Sequence, residues 1–372
     1  MAILGSLEDQ PALRESLRGV LAESLPSSEL RSVLDGDVGY SPQLHVRLCA
    51  ELGLVGLTIP AEFGGLGASL AEACAVHSEL GRALYPGPCL PSCLAAAALL
   101  ACGDPEACGR WLPLLANGSV TGTVAAADED GHWSPGPDSV RAQYATGGWR
   151  LYGRRWFVIA AHAADIAVVP AMTDHGLAMF LAQSGSAGIS VSRQLDLDLT
   201  RRIGITTFDA APARLLTRDG YPALARTEYE FLVATAAEAA GGIGWCLDAS
   251  IAYVRDREQF GPSTGSFETA AQSCVGMLAD LQSVSASARY AAIAVAVGST
   301  EAPQAAHAAA LQAGEAYRNV VDAAIHLFGG VGFAQADDAQ LYYRRAWSAE
   351  RLAGGPQAHR AAIAELTGRK RP

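Results

Sequence analysis

Residues 326–333 read His-Leu-Phe-Gly-Gly-Val-Gly-Phe, and residues 341–345 read Leu-Tyr-Tyr-Arg-Arg. The apolar residues before this stretch keep helical spacing, so Gly329 and Gly330 mark the end of a helix. Because glycine has no side chain, we expect the backbone N–H groups at both positions to be bare and open to a phosphate. The stretch therefore predicts a helix end that can meet an anion.

A second informative stretch, residues 257–261, reads Arg-Glu-Gln-Phe-Gly and is followed by Phe267. Arg257 offers a guanidinium fork for a phosphate, and Phe260 offers an apolar face for a flat ring. The alternative is purely structural: Arg257 would be a solvated charge at a helix end and Phe260 would fill the helix bundle.

The pattern changes twice along the chain. Residues 13–115 keep helical spacing, residues 120–216 are rich in Gly, Thr, Val and Pro with strand-like alternation, and three long apolar helices follow at 223–261, 270–297 and 305–328. We expect an α+β fold with three parts: an N-terminal helical domain (1–118), a central β domain (119–220) and a C-terminal helical bundle (221–372).

Composition excludes several classes of protein. The chain has 372 residues, half of them hydrophobic, and a net charge of −11, which argues against long disorder and against binding to nucleic acid or an anionic membrane. No eighteen-residue apolar run and no signal peptide occur, so we expect a cytoplasmic protein. The eight cysteines form no CxxC pair and have no histidine at metal spacing, so we expect buried thiols and no metal site.

Together with residues 51–65, which include Glu-Leu-Gly-Leu and Ile-Pro-Ala-Glu-Phe-Gly-Gly, these stretches resemble the acyl-CoA dehydrogenase family in the right order. The resemblance implies an N-terminal helical domain, a central small β-barrel or sheet, and a C-terminal four-helix bundle. It also implies an oxidoreductase that binds FAD across a subunit boundary. The residues expected at the dinucleotide end are Arg257, Phe260, Gly261, Phe267, His326, Gly329 and Gly330.

The same resemblance implies a flavin-ring site in the β domain. Phe157 falls on the family's ring-stacking tryptophan, and Ile159 falls on a threonine that hydrogen-bonds the ring. Ala126 stands where another flavin-contacting threonine is expected. Two lost hydrogen bonds, at about 1 kcal/mol each, would weaken flavin affinity by roughly an order of magnitude. Gln357 keeps the position of a flavin-contacting glutamine.

The glutamate that removes the substrate α-proton in this family is missing from both of its usual positions. Ala353 stands at the first position, and a methyl group cannot accept a proton. The second position falls on Phe231, with Glu230 one residue earlier and therefore rotated by about 100° on a helix. Glu230 has two interpretations: a carboxylate in the first helical turn, favoured by the helix dipole, or the catalytic base.

Two functions fit a family scaffold without its base. The chain is either the base-lacking subunit of a two-gene α2β2 acyl-CoA dehydrogenase, or a homo-oligomeric flavoenzyme, which would be a desaturase using Glu230 or an oxidase or monooxygenase. A scaffold subunit without enzymatic activity is a third possibility. The expected partners are an acyl thioester carried by CoA or by a carrier protein, a homo- or heterotetramer that includes a second acyl-CoA dehydrogenase chain, and a flavoprotein or oxygen as electron acceptor.

Overall fold

A computed structural model describes residues 10–133, 136, 140–145, 147–256, 268–330, 332, 334, 338–352 and 354–368. The N-terminal part is helical. Its helices are α1 (Gln10–Ser24), α2 (Ser27–Asp35), α3 (Pro42–Leu52), α4 (Leu70–Arg82), α5 (Cys89–Cys102) and α6 (Pro105–Ala116).

Local sequence signals set the ends of these helices. Ser69 and Glu72 form a capping box at the start of α4, because each side chain meets the other's backbone N–H. Asp104 accepts a hydrogen bond from the Ala107 N–H at the start of α6. Gly53 ends α3 with φ +64°, a conformation that glycine adopts without strain. Caps and glycines thus divide the N-terminal part into short helices.

The central part is a small barrel of antiparallel and parallel strands. Strands β2 to β5 and β7 form a closed ring in the order β4, β2, β3, β7, β5 and back to β4, while β1 adds to β4 and β6 adds to β7. The strands are β1 (Gly122–Val124), β2 (Arg141–Ala145), β3 (Gly148–Ile159), β4 (Ile166–Thr173), β5 (Gly176–Gln183), β6 (Ile189–Arg193) and β7 (Ile203–Thr217). A separate cluster of buried side chains, including Phe180 and Phe208, fills the barrel.

The C-terminal part contains three long helices and two shorter ones among the described residues. These are α7 (Gly220–Asp256), α8 (Glu268–Ala296), α9 (Ala302–Phe328), α10 (Ala339–Arg351) and α11 (Gly355–Leu366). The expected α+β architecture is confirmed. No helix in the described part of the chain has the length and apolar character needed to cross a membrane.

The first and last thirds of the chain share one core. A single hydrophobic cluster runs from Leu17 in α1 to Leu352 after α10. Helices α4 and α7 approach so closely that a Cβ atom on Gly241 would lie 1.8 Å from a carbonyl oxygen of α4, and one on Gly81 would lie 2.1 Å from a carbonyl oxygen of α7. Only glycine permits this crossing.

A buried ionic network joins the barrel to the C-terminal helices. Arg345 of α10 lies 2.5 Å from Asp198, donates to both oxygen atoms of Thr200, and lies 3.7 Å from Glu238 of α7. Arg201 also pairs with Glu238. Because each charge has an opposite partner, the network offsets the cost of burial and fixes the loop that precedes β7.

Candidate active site

Phe157 is turned out of its strand by a bulge. The pairing between β3 and β7 shifts register between Arg155 and Val158, and Phe157 has φ +50°, which is unusual for a residue with a side chain. Its backbone N–H donates to the side-chain oxygen of Gln194 over 3.3 Å. The bulge therefore aims the aromatic ring at the interface with the helices instead of along the barrel wall.

A tight loop carries Trp133 to the same interface. The side-chain oxygen of Asp128 accepts hydrogen bonds from the N–H groups of Asp130 and His132, at 3.0 and 2.8 Å. The Asp128 N–H in turn donates to the His132 carbonyl oxygen over 2.9 Å. Asx-type bonding of this kind closes a turn, and Trp133 follows it with only 7% of its surface exposed.

Trp133 and Phe231 stack on each other. Their ring centroids are 5.1 Å apart and their planes differ by 12°, which is an offset-stacked pair in the favourable distance range. Phe231 lies on α7, so this contact brings the barrel loop against the longest helix of the chain. It also places two large rings at the position where the family resemblance puts a catalytic carboxylate.

These rings and Phe157 line one small cavity between the barrel and the helices. Its volume is about 10 Å³, which is room for one water molecule at most. Its lining residues are Pro91, Leu94, Thr123, Val124, Ala127, Trp133, Phe157, Ile159, Phe231 and Leu352. The only side-chain hydroxyl in this wall belongs to Thr123, which already donates to the Ile159 carbonyl oxygen over 2.8 Å. The cavity is therefore apolar and nearly filled.

Glu230 does not line the Phe157 cavity. Its carboxylate lies 2.6 Å from Nε of Arg226, one turn earlier on α7, and the side chain lines a different small space with Leu57 and His77. The interpretation of Glu230 as a first-turn carboxylate is wrong, because α7 begins at Gly220. Glu230 therefore serves as the ion-pair partner of Arg226.

Glu228 is a different kind of carboxylate. It makes no ion pair or hydrogen bond with any residue in the described part of the chain, and burial raises its pKa to about 7. On α7 it lies one turn before Phe231 and therefore on the same face of the helix. The sequence alone shows neither the ion pair of Glu230 nor the burial of Glu228, so it does not distinguish the two carboxylates.

The turn between α10 and α11 approaches the same loop. Gly354 and Gly355 have φ +92° and +74°, and a Cβ atom on Gly354 would lie 3.4 Å from the ring of His132. Ala353, which the resemblance places at the position of the base, lies outside the described residues. Gln357, expected to contact the flavin, lies exposed in the first turn of α11.

The expected dinucleotide end is partly described. Gly329 caps α9 with its N–H donating to carbonyl oxygens of His326 and Ile325, so the expectation of a bare N–H is wrong for this residue: the helix end uses it. Among the described residues, no atom lies within 4 Å of a Cβ atom built on Gly329 or Gly330, so the described part of the chain leaves space above both. Arg257, Phe260, Gly261 and Phe267 lie outside the described residues.

His326 is exposed and oriented by its own helix. Its Nδ1 lies 2.7 Å from the carbonyl oxygen of Asp322, so Nδ1 is the donor of that hydrogen bond. Tyr253 donates to the Phe328 carbonyl oxygen over 2.8 Å and thereby ties the end of α7 to the end of α9. These contacts fix the end of α9 and orient His326 beside the two glycines.

Sequence reasoning missed Trp133. The signal was present: an aromatic residue directly after the polar run Asp128-Glu-Asp-Gly-His132, in the loop that the resemblance places next to the flavin. What the sequence could not supply is the stacking partner, because Phe231 lies almost a hundred residues later.

Comparison with known proteins identifies the family. Residues 7–119 match the acyl-CoA dehydrogenase N-terminal domain, and residues 229–367 match the acyl-CoA dehydrogenase C-terminal domain. Acyl-CoA dehydrogenase IpdE2 of Mycolicibacterium smegmatis is 32% identical over 353 residues, which cover 94% of this chain and 96% of the relative. The Mycobacterium tuberculosis protein of the same name is 31% identical over 352 residues, which cover 94% of both chains.

Solved structures agree with the sequence matches. The ChsE4-ChsE5 complex from Mycobacterium tuberculosis superposes with a TM-score of 0.89 at 26% identity, covering 99% of this chain and 100% of that chain. A variant of the Tcur3481-Tcur3483 steroid ACAD gives a TM-score of 0.88 at 27% identity, covering 97% of this chain and 98% of that chain. The chain belongs to the acyl-CoA dehydrogenase family, a family of FAD-dependent oxidoreductases.

Proposed function

We propose that this chain is the base-lacking subunit of a two-chain acyl-CoA dehydrogenase, and that it supplies FAD-binding and structural surface to a catalytic partner. The observation that carries the proposal is the stacked pair of Trp133 and Phe231. These rings occupy the space beside Phe157 and leave about 10 Å³, too little for any acyl group. A subunit that no longer binds a substrate can tolerate aromatic side chains in this space, whereas a subunit that binds its own substrate cannot.

The distribution of carboxylates supports the proposal. Dehydrogenation needs a base at the α-carbon, while bound FAD supplies the acceptor for the β-hydrogen as hydride. The sequence has alanine at position 353 and phenylalanine at position 231. Glu230 is held by Arg226 at 2.6 Å, so removing a substrate proton would first require breaking an ion pair. The partner chain is therefore proposed to bring the glutamate.

The proposed FAD contacts of this chain are of two kinds. Gly329, Gly330 and the exposed His326 would meet the dinucleotide, since no described residue fills the space above the two glycines, and Arg257, Phe260, Gly261 and Phe267 are proposed there from sequence. Phe157 would offer an aromatic face to the flavin ring, and Ile159 would make no hydrogen bond to it. Gln357 is proposed at the edge of the same site.

The likeness to solved complexes supports a second chain. The ChsE4-ChsE5 structure is a complex of two proteins by its own description, and this chain matches one of them over its whole length. We propose an acyl thioester, on CoA or a carrier protein, as the substrate of the assembly, and a flavoprotein or oxygen as its electron acceptor. The assembly is proposed to be an α2β2 tetramer.

The test is the colour and composition of the purified protein. We expect the chain produced alone to carry little flavin, and the chain co-produced with a catalytic acyl-CoA dehydrogenase partner to bind FAD stoichiometrically and be bleached by an acyl thioester. In that complex, replacing the partner's base should abolish bleaching, whereas Glu230→Gln in this chain should not change it. A chain that alone is fully yellow and is bleached by acyl thioester would refute the proposal.

A second candidate function, a homo-oligomeric flavoenzyme with its own base, is favoured by one observation. Glu228 has no ion partner among the described residues, and its pKa of about 7 suits a general base at neutral pH. If the chain alone oxidises a substrate, Glu228→Gln should abolish turnover and Glu230→Gln should leave it nearly unchanged. Equal activity of Glu228→Gln and the unmodified chain would exclude this candidate.

A further inference from the structure

A groove runs along α1 on a side of the molecule that shares no lining residue with the Phe157 cavity. It consists of two adjoining cavities of about 390 and 190 Å³, which share Arg18 and Arg82. We call it the α1 groove. Its combined size falls in the range of ordinary small-molecule sites, roughly 300–1,000 Å³.

The larger half of the α1 groove is basic. Its lining includes four arginines, Arg14, Arg18, Arg82 and Arg289. Arg14 and Arg18 lie 2.9 and 2.8 Å from the buried carboxylate of Glu79, and Arg82 lies 2.6 Å from the exposed Asp248. Four guanidinium groups thus share two carboxylates, which leaves a positive surplus on a chain whose net charge is −11.

Arg289 contributes half of that surplus. It lies on the exposed face of α8 and makes no ion pair or hydrogen bond with any residue that the structure describes. The charge of Arg289 acts on the thiol of Cys74, which also lines the groove: burial raises the pKa of that thiol to about 12, and Arg289 opposes the rise. The thiol is therefore neutral, and the guanidinium remains available to an anion.

The smaller half is mostly apolar. Trp245 and Tyr342 form one wall, with ring centroids 3.9 Å apart and planes within 12°. The remaining apolar lining consists of Leu21, Ala22, Leu25, Leu30, Ala83, Leu84 and Leu341, and the polar residues Ser27, Glu79 and Asp338 also line it beside the shared Arg18 and Arg82. Small residues make the basic half deep, because Ala71, Ala75, Ala240, Gly241 and Gly244 form its floor. An open apolar trough that leads into a basic pocket matches a ligand with a tail and a charged head.

We propose that the α1 groove binds an amphipathic anion, a single apolar chain that ends in a carboxylate or a phosphate. The chain would lie between Trp245 and the leucines, and the head would accept hydrogen bonds from Arg289 and from the outer face of Arg82. Fatty carboxylates and alkyl phosphates share this chemistry. The α1 groove shares no lining residue with the Phe157 cavity, and its test can be carried out on this chain alone.

The test is binding by isothermal titration calorimetry, with decanoate and decyl phosphate as probes of the two head groups and decanol as the neutral control. Measurements on the purified chain, alone and in any complex with its catalytic partner, should show saturable binding of at least one anion and at least tenfold weaker binding of decanol. Arg289→Gln should weaken the anion about tenfold, and Ala22→Trp should block the apolar half. The matched controls are Arg47→Gln and Ala12→Trp, two exposed positions outside the groove.

The outcomes separate the alternatives. Preference for decanoate assigns the site to fatty carboxylates, and preference for decyl phosphate assigns it to phosphate head groups. Equal binding of decanol, absence of saturable binding, or unchanged affinity in both Arg289→Gln and Ala22→Trp would overturn the proposal. Because both substitutions are at exposed positions, circular dichroism should show an unchanged fold, so a loss of binding reports on the groove.

Discussion

Replacing Trp133 by alanine should measurably destabilise the chain. Only 7% of the residue is exposed to solvent. The surrounding loop would therefore have little room to move into the cavity that the substitution leaves. Truncation of a buried large aromatic residue costs about 3–5 kcal/mol, of which the stacking on Phe231 accounts for about 1 kcal/mol. Urea denaturation followed by circular dichroism would measure the difference in the free energy of unfolding.

Trp133→Phe is the matched control, because it keeps a ring over Phe231 and should lose only about 1–2 kcal/mol. A double-mutant cycle with Phe231→Ala isolates the contact. The sum of the losses in the free energy of unfolding of the two single variants should exceed the loss of the double variant by about 1 kcal/mol. Independent sites would deviate from additivity by less than this. Additive effects, or a loss below 1 kcal/mol for Trp133→Ala, would show that the rings do not fill this cavity in solution.

Three further changes test other parts of the structure by the same urea measurement. Arg345→Met should cost about 3–5 kcal/mol, because it leaves Asp198 charged and buried without its partner; a loss below 1 kcal/mol would contradict the ionic network. Burial raises the pKa of Glu228 from 4.5 to about 7, so the folded state holds a proton that the unfolded state releases, and stability falls as pH rises from about 4.5 to about 7. Glu228→Gln should remove about 2 kcal/mol of that fall, and the gain should disappear as pH drops to about 3. Gly241→Ala should unfold the chain, since its Cβ would lie 1.8 Å from a carbonyl oxygen, whereas Gly276→Ala in open space should stabilise by about 0.5–1 kcal/mol.

Much of the fold could be predicted from sequence, because it depends on signals that are local along the chain. Helical spacing over tens of residues predicts α7, α8 and α9, and the glycines at 147 and 148 predict the hairpin of β2 and β3. The closure of the barrel could not be predicted, since it depends on the pairing of β4 with β2 and of β5 with β7. That pairing is non-local and leaves no periodic signal.

The candidate site was less predictable, for a similar reason. Phe157 was found from its family position, but its positive φ and its outward turn arise from a bulge against β7. The expectation of a free N–H at Gly329 is wrong, because this N–H donates to carbonyl oxygens at the end of α9. The roles of Glu228 and Glu230 depend on whether each carboxylate has a cationic partner. Arg226 is the partner of Glu230, and Glu228 has none among the described residues.

The close crossing of α4 and α7 has a consequence for how the protein is made. Helix α4 ends at Arg82 and α7 starts at Gly220, so the ribosome must add more than a hundred residues before α4 meets its partner. At typical elongation rates this takes on the order of 10 s. During that interval the nascent chain exposes the apolar flank of α4, including Val76 and Leu80. Chaperone capture of translating ribosomes should therefore peak before α7 emerges and fall once it has docked.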